Sequence, residues 1–138
     1  GPRHGIYTVN SAARGKAEDR KLVPVENKTV LDTSFVTVAE GLREQGYRTG
    51  FFGKWHLGDD GFGPLDQGFD EAAGWTALGS PPGYTWPYER GAFTLSDLRD
   101  SGVPGENLTD RLVDESIRFI EDSSEAPFFL MLSHYAVH

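Results

Sequence analysis

Residues 57 to 106 hold ten Gly and five Pro, nearly a third of the stretch. That density breaks helices and central strands, so long regular elements are confined to the residues on either side. Seven aromatics are interleaved with the breakers: Phe62, Phe69, Trp75, Tyr84, Trp86, Tyr88 and Phe93. Plain disorder lacks such an aromatic load. Long irregular segments inside compact domains are often functional. The expectation is a mostly irregular, ordered region, packed through its aromatics beside a site.

The flanking blocks read as helix and strand. Thr37 and Glu40 have capping-box spacing, with Val38, Ala39 and Leu42 as an apolar face and Gly46 as a left-handed stop. This predicts a short helix over 38–45, weakened by Gly41. Residues 48–54 then favour a strand, and Gly50 and Gly53 permit close approach by another backbone. Downstream, Leu108, Leu112, Val113, Ser116, Ile117 and Ile120 recur at helical spacing, with Asn107 or Thr109 as cap. That predicts a helix over 108–122. Pro127 and the apolar run from Phe128 predict a buried, parallel-type strand over 127–133. Helix–strand units of this kind imply an α/β fold, with a mixed sheet flanked by helices. Sites in such sheets lie beyond the carboxyl ends of the strands. Residues 1–30 show little periodicity and read as surface. Leu22 to Val25 is too short and Pro-broken for a central strand.

Composition narrows function. The chain has 138 residues, 38% hydrophobic, enough for a core in one domain. Its net charge of −8 argues against a grip on nucleic-acid backbone or a polybasic membrane patch. It does not exclude a small anion held by a few converging donors. No apolar run approaches a membrane span, and Gly1 to His4 lack the charged-then-apolar order of a signal peptide. The absence of Cys excludes disulfides and thiolate chemistry within the chain.

Nucleotide-binding motifs fail. Gly53-Lys54 would need a glycine at position 48 and Ser or Thr at 55 to be a phosphate loop, but Arg48 and Trp55 stand there. Gly61, Gly63 and Gly68 are wrongly spaced for a dinucleotide fingerprint. Lys54 and His56 stand two apart on a segment read as extended, which puts both on one face and Trp55 on the other. A Lys beside a His is unfavourable unless an anion sits between them. The plainer alternative is a solvated Lys and a core-edge His. His134 and His138 stand four apart but follow a strand, a weak metal signal. Asp59-Asp60 read as turn residues. Asn27-Lys28-Thr29 and Asn107-Leu108-Thr109 match the glycosylation pattern, the second better read as a helix cap.

Gly46 to Gly58 resembles the second signature of the formylglycine-dependent sulfatases, the arylsulfatase-like branch of the alkaline phosphatase superfamily. Further blocks follow in order. Arg3-His4-Gly5-Ile6-Tyr7 resembles the segment after the nucleophile helix, and Gly63 to Asp70 the family's Gly-Phe-Asp block. Leu108-Thr109-Asp110 into Pro127 to Leu130 resembles the helix and strand before the substrate histidine, and Ser133 to His138 the segment carrying it. Phe52 departs from the family, which usually has a smaller residue there.

The resemblance implies a sulfuric ester hydrolase acting on carbohydrate or aryl sulfates. Lys54 would bind the sulfate and the formylglycine diol. His56 would hydrogen-bond that diol and aid its breakdown. His138 would contact the sulfate and bridging oxygen and protonate the leaving alcohol. Trp86 is a candidate sugar contact. Residues 1–138 would be part of a single sulfatase catalytic domain and inactive alone. The formylglycine, the calcium ion and every metal ligand are expected outside the chain. The implied partner is a sulfated small molecule or polysaccharide, with no nucleic acid and no membrane span. The implied location of the full-length protein is periplasmic or secreted. Two other readings stand beside this one: a non-catalytic carbohydrate-binding module, and a phosphate or phosphonate monoester hydrolase of the same superfamily.

Overall fold

The computed structural model describes residues 2–7, 21 and 25–137. Most of the surface segment expected before residue 30, including Leu22 to Pro24, lies outside the described residues, as does His138.

Helix α1 (Val38–Glu44) starts as its sequence dictates. Thr37 Oγ1 accepts from the Glu40 amide at 3.1 Å, and the Glu40 carboxylate accepts from the Thr37 amide at 2.6 Å. Two otherwise orphaned donors are satisfied reciprocally. Gln45 closes the helix, and Gly46 follows at φ 83°.

Strand β1 (Arg48–Gly53) is the centre of a three-stranded sheet. It pairs in parallel with β2 (Glu71–Ala73) on one side and β5 (Phe128–Ser133) on the other. All three sheet strands are parallel; the antiparallel component is a separate ribbon of β3 (Glu89–Arg90) and β4 (Phe93–Thr94). A short helix α2 (Ser96–Arg99) and the long α3 (Leu108–Asp122) complete the order. Asn107 caps α3 by accepting from the Thr109 amide.

Strand alternation sends consecutive phenylalanines to opposite faces. Phe51 joins Ala39, Trp55 and Phe69 on the α1 side. Phe52 joins Tyr88, Leu95, Leu98, Leu108, Leu112, Phe119 and Tyr135 on the α3 side. Both rings are fully buried, each worth about 1.5–3 kcal/mol of transfer free energy. The large residue at position 52 is thus taken up by packing against the Phe119 ring, 5.8 Å away.

One expectation needs correction and another holds with an exception. The strand over 128–133 is not buried on both faces: Phe128 and Met131 are 41% and 44% exposed. It is the edge strand of the described sheet, with β1 as its one partner there. The sequence from 57 to 106 is mostly irregular, but Glu71–Ala73 joins the sheet, an element too short to show a pattern. His134 is exposed.

Candidate active site

The three parallel strands end on the same edge of the sheet, and their outgoing loops meet there. Gly53 pairs with Ser133, and the Lys54 amide donates to the Ser133 carbonyl at 2.7 Å. A Cβ at Gly53 would lie 2.1 Å from that carbonyl oxygen, and φ is +103°. Only glycine lets the backbones close to this distance. Lys54 and the segment starting at His134 therefore leave the sheet side by side.

Lys54 is half-buried. Among the described residues no carboxylate pairs with its ammonium, although Arg48, Arg99, Arg111 and Arg118 are all ion-paired.

His56 reaches the same edge by a different route from that expected. The strand ends at Gly53 with φ +103°, and His56 has φ +58°, so the extended alternation that would put it on the Lys54 face does not hold across 54–56. A non-glycine residue in this region is strained, and such strain persists where neighbours over-determine it. The neighbours are on the loop after β2. The His56 amide donates to the Thr76 carbonyl at 3.4 Å, and Gly79 lies against the ring. A Cβ there would be 2.7 Å from Cε1 and 2.8 Å from Nδ1. Trp55 is buried, its Nε1 donating to the Phe62 carbonyl at 2.8 Å.

Tyr135 ties the third loop down. It is buried, and its hydroxyl donates to the Gly74 carbonyl at 3.1 Å. Burial pushes that hydroxyl up to about 12, so it stays a neutral donor. The Tyr84 hydroxyl donates in turn to the Tyr135 carbonyl. The segment leading to His138 is thereby anchored to the loop after β2, the same loop that holds His56. His138 itself lies outside the described residues. Trp86 sits elsewhere: it is half-buried against the α3-side core, with Nε1 donating to the Arg99 carbonyl at 3.0 Å.

Sequence reasoning missed Thr76, Gly79 and Tyr135. Nothing local marks them, because each acts through a partner at least twenty residues away. Among the described residues no three His, Asp or Glu side chains stand close enough to hold a metal ion.

The Sulfatase family profile matches residues 4–138. The chain belongs to the sulfatase family. It is 32% identical over 154 residues to the N-acetylgalactosamine-6-sulfatase of Canis lupus familiaris, covering 99% of this chain and 28% of that protein. It is 30% identical over 127 residues to the arylsulfatase of Hemicentrotus pulcherrimus, covering 80% of this chain and 23% of that one. The chain thus spans about a quarter of the length of these relatives. In three dimensions it resembles the crystal structure of Ps i-CgsB, with a TM-score of 0.60, 25% identity, and coverage of 84% of this chain and 30% of that one. The complex of Ps i-CgsB with k-i-k-neocarrahexaose gives 0.58 and 26% at the same coverage. The sulfatase fold accounts for the parallel sheet between helices, and it puts the Lys54 edge in a family whose substrates carry an anionic ester.

Proposed function

We propose that the protein carrying this sulfatase chain hydrolyses sulfate esters of carbohydrates, with Lys54, His56 and His138 in its active site. The observation that carries the reading is the Lys54 ammonium, without an ion-pair partner among the described residues, at the carboxyl edge of a parallel sheet within a chain of this family. Carbohydrate esters are favoured over simple aryl sulfates by the relatives named for N-acetylgalactosamine 6-sulfate and by the neighbour solved with a neocarrahexaose. A periplasmic or secreted location goes with a polymeric substrate. Among the described residues no helix is long and apolar enough to cross a membrane.

In this reading Lys54 holds the sulfate oxygens by charge-assisted hydrogen bonds and stabilises the charge that grows on them during transfer. The Gly53–Ser133 contact fixes where that charge sits. His56, clamped between Thr76 and Gly79, supplies a ring nitrogen of set direction for proton handling beside the sulfate. His138 protonates the departing alcohol. Formylglycine and calcium belong to the same reading, with their attachment points outside residues 1–138. Trp86 is left out of the substrate contacts, because its indole is engaged in the core.

Lys54→Ala in the full-length protein tests this. Loss of one preorganised donor typically lowers turnover roughly 10²- to 10³-fold. The same variant should keep its thermal midpoint, since Lys54 makes no ion pair among the described residues. Unchanged sulfate-ester turnover would remove Lys54 from the site and the reading with it. His138→Ala should hurt alkyl sulfates more than aryl sulfates, because a weakly acidic alcohol most needs protonation.

A further inference from the structure

Beside the His56 loop lies a cleft of about 310 Å³ that the sulfate chemistry leaves unassigned. Asp59, Trp75, Thr76, Leu78, Phe93 and Thr94 are among its walls. We propose that it is a subsite for one uncharged sugar ring adjoining the sulfated ring, and that Asp59 excludes a second sulfate from it. This rests on the carbohydrate sulfatase reading.

Continuity with the site comes first. Thr76 lines the cleft and its carbonyl accepts the His56 amide, while Asp59 follows His56 by three residues. The cleft therefore adjoins the His56 segment, where the proposed reading puts the sulfated ring. Size comes second. The volume is at the low end for small-molecule sites, room for a ring and not for a chain.

Wall chemistry decides the occupant. Trp75 is fixed from behind, its ring packed on Gly63. Phe93 is 56% exposed at the tip-proximal end of the β3–β4 ribbon, an unfavourable place for a phenyl ring with nothing against it. The ribbon is held at its base by the fully buried Tyr88 and Leu95, whose backbones are hydrogen-bonded at 3.2 Å. Two aromatic side chains and a carboxylate in the walls of one small cleft match a pyranose, which has apolar C–H faces and a polar rim. Among the described residues no Lys, Arg or His lines the cleft. A sulfate placed there would meet Asp59 with no compensating cation among the described residues, and such a like-charge meeting is a device for rejecting the wrong substrate.

The test uses the full-length enzyme and three substrates: a chromogenic aryl sulfate, a disaccharide with one sulfate on its reacting ring, and the same disaccharide with a second sulfate on the neighbouring ring. Phe93→Ala should lower the ratio of disaccharide to aryl-sulfate kcat/KM about tenfold, chiefly through KM. Asp59→Asn should raise the ratio of doubly to singly sulfated kcat/KM about three- to tenfold. Calorimetric binding of the singly sulfated disaccharide to Lys54→Ala, with and without Phe93→Ala, separates the two readings. If no sulfate ester is turned over but Phe93→Ala still weakens that binding, the sulfatase reading fails and the sugar subsite stands. If both variants leave both ratios within twofold of wild type, the subsite is wrong while the sulfatase reading survives.

Discussion

Gly79→Ala isolates the role of the His56 clamp. Gly79 has no positive φ, so alanine adds no backbone strain and the perturbation is one methyl group. That methyl would stand 2.7 Å from His56 Cε1 and 2.8 Å from Nδ1. Ordinary contact needs about 3.5–4.0 Å, so the ring has to withdraw by roughly 1 Å. The His56 backbone cannot follow freely, being held at φ +58° and tied to Thr76. A displacement of that size at a reacting group costs about 10²-fold in turnover. The stability cost should be small, at or below about 1 kcal/mol, the lower end for overpacking, because the ring is only half-buried. The assay is kcat on an aryl sulfate alongside the thermal midpoint of the full-length protein. A kcat within twofold of wild type would refute the clamp. A large fall in the midpoint would show that the methyl disrupts the loop instead of displacing the ring.

Other substitutions test the frame around the site. Gly41→Ala should stabilise by about 0.5–1 kcal/mol in denaturant unfolding, since a Cβ there meets nothing within 4 Å and α1 gains a better helix former. Gly53→Ala should destabilise by more than about 3 kcal/mol, because its Cβ collides with the Ser133 carbonyl at a φ of +103°; a loss under about 1 kcal/mol would contradict the β1–β5 contact. Tyr135 titrates from 10.0 in the unfolded chain to about 12 when folded, so the folded state keeps a proton the unfolded state has lost. Stability is full below pH 10.0 and falls as pH rises toward about 12, and Tyr135→Phe should flatten part of that slope in urea midpoints taken on either side of the window. Tyr88 adds to the same trend, its hydroxyl raised by burial and by Glu106.

The α1 cap, the Gly46 stop, β1, α3 and β5 were legible in the sequence, within one residue at each end. Their signals are local: a hydroxyl and a carboxylate three residues apart, an apolar stripe at helical spacing, a glycine where the chain turns left-handed. Lys54 was singled out in the sequence by its spacing from His56 and by the resemblance of Gly46 to Gly58 to the sulfatase signature. Tertiary structure decided what depends on partners distant in sequence. Glu71–Ala73 becomes a strand only because β1 offers an unpaired edge. His56 leaves the extended conformation because Thr76 and Gly79 hold it. Trp86 and Trp75 are both aromatics in one Gly- and Pro-rich stretch, yet one is drawn into the α3-side core and the other borders the cleft. Composition cannot separate them, because burial is fixed by the surfaces a ring meets and not by the residues beside it in sequence.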